Sequence, residues 1–178
     1  ASAQAPLNLV SVNPDVASGF ITISYNASTH VFTASGFTQN VTQPPTVPAG
    51  NRTFSLTANI NNDGTLKDNI GSLIVRGDVG GTDQLLFSGT FVSAFGYNFG
   101  NIFEFLFTQS AGSLAPVGSS VGTILIGDGL SFPNNNLPSF ANSFNVSFTG
   151  RANTFVPTPG AAALLGLGGL LAARRRRA

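Results

Sequence analysis

The sequence predicts an all-β protein: an antiparallel β-sandwich or barrel-like domain of about 8–10 strands. Three observations carry that reading. Apolar residues alternate at period two through most of the chain before residue 157, turn residues separate the alternating runs, and no segment there sustains a helical period. Sixteen Phe and no Trp in a chain that is 42% hydrophobic point to a core packed with phenyl rings, each contributing roughly 1.5–3 kcal/mol when buried.

The elements follow in order. "GFITISY" (19–25) sets Ile21, Ile23 and Tyr25 on one face and Phe20, Thr22 and Ser24 on the other. After the turn "NAST" comes "HVFTASG" (30–36), and Pro44, Pro45 and Pro48 then mark a loop. "TFSLTANI" (53–60) puts Phe54, Leu56, Ala58 and Ile60 on one face, and "NNDG" (61–64) signals a hairpin because Asn, Asp and Gly tolerate positive φ. "GSLIVRGDV" (71–79) is the return strand. "DQLLFSGTFVSAFGY" (83–97) holds one or two strands, with Gly89 as a bulge or bend. "NIFEFLFTQSAG" (101–112) separates Phe103, Phe105 and Phe107 from Ile102, Glu104 and Leu106. "VGTILIGDG" (121–129), a loop at 132–139 and "SFNVSFTGRANTFV" (143–156) complete the set.

Composition bounds the function. Charged residues make up 8% of the chain, against roughly 25% in an average soluble domain. A surface of Ser, Thr and Asn suits an exported protein. With no Cys there is neither a disulfide framework nor a cysteine metal site. The absence of Met, with small residues at Ala1, Ala3 and Ala5, leads us to expect a removed secretory signal just before residue 1. Half of the eight basic residues are Arg174, Arg175, Arg176 and Arg177; the other four face seven acidic residues, so the body is weakly acidic and offers no footprint for nucleic acid.

Residues that could carry chemistry are few. His30 is the only histidine and lies at a turn-to-strand step without a nucleophile motif, so we expect an exposed strand start. Glu104 is the only glutamate; inside "FEFLF" it reads as the polar position on a strand's outer face rather than half of a glycosidase pair. Asn59, Asn61 and Asp63, followed by Gly64, match the first half of a calcium loop, but Ile70 stands where the bidentate Glu belongs. They are a weak metal candidate that a hairpin turn explains in full. There is no phosphate-binding loop and no dinucleotide fingerprint, and we expect no cofactor and no enzymatic activity.

The last 23 residues, 156–178, differ from the rest. Val156, Pro157, Thr158 and Pro159 precede an uncharged apolar run, "GAAALLGLGGLLAA" (160–173), and four arginines. As a helix that run spans about 21 Å, short of the roughly 30 Å of a bilayer core. It reads as a transient stop in the inner membrane, the arginines held on the cytoplasmic side. A Pro-x-Pro motif, an apolar helix and an arginine cluster in this order closely resemble the PEP-CTERM sorting signal of bacterial proteins handled by exosortases. Thr158 stands where that family usually has a glutamate. The body, through "FTASG", "FSLTANINNDG", "GSLIVRGDVGG", "LLFSGTFVSAFGY" and "FEFLFTQSAGSLA", is similar to secreted domains attached to such tails.

The resemblance implies an exosortase-type sorting enzyme as partner and a cell-surface or extracellular destination in a bacterium that makes exopolysaccharide or biofilm matrix. We therefore divide the chain into a secreted β-domain (1–155) and a sorting signal (156–178). The expected function is a non-enzymatic envelope or matrix component, with a carbohydrate-binding surface module as the alternative; exopolysaccharide is a possible partner in either case. The low charge of "GFITISY" and "NVSFTGRANTFV" also leads us to expect self-association through β-edges, with "APLNLVSVN" (5–13) as a free extended donor.

Overall fold

The computed structural model describes residues 5–42, 46–98, 102–127 and 140–157. The expected apolar helix and its flanks, from Thr158 through Pro159 to Arg174, Arg175, Arg176 and Arg177, lie outside the described residues.

The described chain is all-β. Its strands are β1 (Asp15–Asn26), β2 (Val31–Thr42), β3 (Val47–Pro48), β4 (Thr53–Ile60), β5 (Leu66–Val79), β6 (Thr82–Asn98), β7 (Ile102–Ala111), β8 (Ser120–Ile126) and β9 (Phe144–Phe155). They run β1-β9-β8-β7-β6-β5-β4-β2, β2 pairs back to β1, and every pairing is antiparallel. The result is a closed eight-stranded barrel, and the sandwich alternative falls away. The two-residue β3 extends the β4 side of β2 through Asn40↔Pro48 and Val41↔Val47.

Closure follows from β1, which hydrogen-bonds on both sides: Ile23 is opposite Ala34 of β2 and Val146 of β9. The strands we expected as sheet edges are thus interior members of the barrel: "GFITISY" belongs to β1, and "NVSFTGRANTFV" lies in β9 up to its last residue, Val156. Residues 83–97 form part of one long strand, with register shifts around Gly89, Val92 and Ala94. A methyl at Gly89 would sit 2.6 Å from the Phe107 Cβ, so glycine there lets β6 bend against β7.

The inward faces are those the alternation marks. Phe32, Phe54, Phe87, Phe95, Phe103, Phe105, Phe107 and Phe155 are fully buried, and an eight-stranded barrel is just wide enough to be filled by such side chains. Phe105 sits among Phe32 at 5.3 Å and Phe95 at 4.9 Å between ring centroids, within the range of favourable aromatic pairs. Phe140 stoppers one end, edge-on to Tyr25 at 4.9 Å and to Tyr97 at 5.4 Å. The buried Ala49 and Ala115, from the connections after β2 and β7, lie at the other end.

Candidate binding face and N-terminal clamp

The outward positions of β9, β1, β2, β4 and β5 form rows of hydroxyls and amides. One row runs Asn145, Ser24, Thr33, Thr57, Ser72 through successive strand pairings. A second runs Thr22, Ser35, Ser55 and ends at Ile74. Neighbours in the first row bond to each other, with Ser24 Oγ 2.7 Å from Thr33 Oγ1 and Thr57 Oγ1 2.9 Å from Ser72 Oγ. Strand spacing sets these groups about 4.8 Å apart across the sheet and about 6.8 Å along it. No ionisable residue stands in either row. A shallow groove of about 700 Å³ opens at the β9 end of the first row, lined by Ser24, Asn26, Thr29, Thr33, Ser143 and Phe144 among others.

Phe20 and Phe37 frame the same face toward the other end of the barrel, 58% and 47% exposed. Phe20 sits in the bulge of β1 between Gly19 and Thr22, with φ at 53°. A bulky residue in that left-handed region is strained. Gly36 permits the bulge, since a methyl there would lie 2.7 Å from the Gly19 carbonyl oxygen.

Glu104 faces outward on β7, as its position predicts, yet it is buried at 5% exposure. The N-terminal segment covers it. The backbone N–H groups of Leu7 and Asn8 donate to Oε2 at 2.6 and 3.0 Å, and that of Leu9 donates to Oε1 at 2.7 Å. Asn8 has φ at 55°; a left-handed residue curls consecutive N–H groups around one anion, and Asn adopts that conformation at little cost. Gly96, opposite Glu104 on β6, makes room: a methyl there would lie 2.7 Å from the Ala5 carbonyl oxygen and 2.8 Å from the Leu7 nitrogen. The segment we expected to be free is docked on the barrel, because a buried carboxylate needs donors and the strap supplies three.

The other singled-out residues serve turns. Asp63 Oδ1 accepts from the Thr65 N–H and hydroxyl at 2.9 and 2.6 Å, which holds its carboxyl below the usual carboxylate range. Asn61 donates to Thr65 Oγ1, and Asn59 donates to Asp68 Oδ2. Asn61 and Asp63 thus both engage Thr65 while Asn59 turns to Asp68, and among the described residues no three metal-ligating side chains of the His, Cys, Asp or Glu type gather. Burial, with Asp63 adding to it, raises the Tyr25 hydroxyl, which lies 2.8 Å from the Ile60 carbonyl. His30 is half-buried in the β1–β2 turn with φ at 64°, and its Nδ1 is buried without a partner. Of the tail motif, Val156 packs partly buried against the core and Pro157 is buried, its Cγ 3.2 Å from where a Gly122 methyl would stand.

Reading the residues singly missed two features. The hydroxyl rows arise from cross-strand register, which no single strand encodes. The clamp had one signal: a lone Glu flanked by phenylalanines on a strand that otherwise carries no charge. The chain matches no protein-family model, and no curated protein or solved structure matches it.

Proposed function

We propose that this is an exported bacterial surface or matrix protein, without enzymatic activity, delivered through its C-terminal signal by an exosortase-type enzyme. The observation that carries the reading is the ordered run Pro157-Thr158-Pro159, uncharged 160–173, Arg174-Arg175-Arg176-Arg177, starting two residues after the last barrel strand ends at Phe155. The uncharged run holds the inner membrane transiently and the arginines remain cytoplasmic until processing. Pro157, the first residue of the run, packs against β8 at Gly122. The sparse charge supports export, and the three donors that fill the Glu104 carboxylate argue against its use as a catalytic acid or nucleophile. Mass spectrometry of the protein from its native host tests the reading. We expect surface-located chains that end near residue 160; surface-located chains that keep Arg174–Arg177 overturn processing and leave a plain anchor.

A second reading is favoured by the outer face. Rows of neutral hydroxyls framed by Phe20 and Phe37 suit a neutral polysaccharide, whose hydroxyls exchange hydrogen bonds with Ser and Thr and whose C–H faces stack on phenyl rings. Because β9 begins at the groove and ends next to Pro157, the groove lies at the far end of that strand, roughly 30 Å from Pro157. A glycan array with the full chain tests it: binding to neutral glycans that Phe37→Ala weakens supports a binding module, and an empty array leaves a scaffold.

A further inference from the structure

We propose that the N-terminal strap, residues 5–9, also docks in trans, filling the Glu104 socket of a second copy of this chain. The socket belongs wholly to the barrel: Glu104 supplies the charge and Gly96 the gap. The strap belongs to no ladder. It is joined to β1 by residues 10–14, where Val10 is 70% exposed and Ser11 bonds to Asp15 at 2.8 Å.

All eight barrel strands pair without the strap. Its release opens no ladder; it uncovers the carboxylate and frees Leu9, the one buried apolar anchor of the strap. Docking a strap regains three charge-assisted hydrogen bonds at the uncovered carboxylate and reburies Leu9, so an emptied socket takes up any strap that offers the same three N–H groups. A second copy offers them with identical geometry, and exchange of an identical segment is a low-cost route to association. The docked strap in cis competes at an effective concentration of order millimolar, so exchange belongs to crowded conditions such as a packed surface layer. The inference stands on the clamp geometry and is independent of how the chain is sorted.

The experiment uses the full chain, in a mild detergent to disperse the apolar tail, made in ¹⁵N-labelled and ordinary forms. Each carries the photoreactive residue benzoylphenylalanine in place of Pro6, which is exposed. Equal amounts are mixed, equilibrated, irradiated and digested at rising concentration. We expect cross-links from the strap to β6 or β7 that join labelled to unlabelled chains. Their share should rise several-fold over a hundredfold range of concentration and fall at least threefold with Glu104→Gln. A synthetic peptide of residues 5–14 should reduce the same share, an arm that needs no variant to fold. Strap cross-links confined to one isotope at every concentration overturn the proposal. So does a mixed-isotope share that neither Glu104→Gln nor the peptide changes, since association would then run through another surface.

Discussion

Glu104 shows how one residue organises a distant segment. Its carboxylate accepts three N–H groups from residues some 95 positions earlier in the chain. Hydrogen bonds to charged groups contribute about 1.5–3 kcal/mol each, but the strap can detach into water, so the loss on substitution is smaller than their sum. Glu104→Ala should lower stability by about 2–4 kcal/mol, with Glu104→Gln in between because one acceptor survives; denaturant midpoints measure both, and amide exchange at residues 7–9 should accelerate in step. Phe20 makes the opposite case, a side chain displayed at the expense of backbone strain. Phe20→Gly should raise stability by about 1 kcal/mol, and if the outer face binds glycans the same change should weaken binding; a loss of stability would mean that the ring's contacts outweigh the strain. Two exposed carboxylates contribute to the acid response. Arg76 beside Asp83, and Thr65 beside Asp63, hold these groups below the usual carboxylate range. A depressed value means stability present above the unfolded pKa near 4 and lost as pH falls through the folded value. Asp63→Asn and Asp83→Asn should each narrow the gap between melting temperatures at pH 7 and pH 3, the Asp83 part shrinking with salt because its ion pair with Arg76 is exposed.

At the scale of the element, the alternation in the sequence was readable and the closure was not. Phe103, Phe105 and Phe107 fall inward and Glu104 outward, as period two demands. The turn at "NNDG" forms with Gly64 at φ 82° and Asn61 bonded to Thr65 across it. The barrel depends on β1 meeting β9, more than a hundred residues on, and nothing in either strand's own pattern names its partner. The covering of Glu104 escaped for a related reason: its partners are backbone N–H groups, which every residue has. The calcium-like spacing of Asn59, Asn61 and Asp63 is ambiguous in the sequence because Asn and Asp serve turns with the same side-chain oxygens that serve cations. The inward face can be tested directly. Phe105→Ala should cost about 3–5 kcal/mol, whereas Phe91→Ala, at a position 41% exposed, should stay within about 0.5 kcal/mol. Denaturant unfolding with an unchanged m-value separates the two; a comparable loss at both would mean that the barrel interior is not the chief source of stability.

At the scale of the molecule, the barrel closes only when its first and last strands meet. β9 pairs with β8 from Gly122↔Phe155 to Ile126↔Arg151 and with β1 from Asp15↔Phe155 to Tyr25↔Phe144. Removing it would strip two strands of a partner at once and open the interior, exposing Phe103 and Phe105 to water. Pairing across so many residues carries loop-closure entropy that local hairpins avoid, so folding should be slow, in the millisecond-to-second range typical of non-local β topologies. The hairpins β4–β5, β5–β6, β6–β7 and β7–β8 can form locally, but none buries both faces of the core until β9 docks. A chain ending at residue 142 should therefore lack a cooperative melt and bind a hydrophobic dye. A chain ending at residue 157 keeps every described strand and the Pro157 contact with Gly122, and should melt within about 2 °C of the full chain, a shift of about 1 kcal/mol or less for a domain of this size. A cooperative melt in the shorter chain would show that seven strands suffice and that closure by β9 is an addition to an already stable open sheet. A loss of many degrees in the longer one would assign the tail a structural role in the barrel as well as its proposed role in sorting.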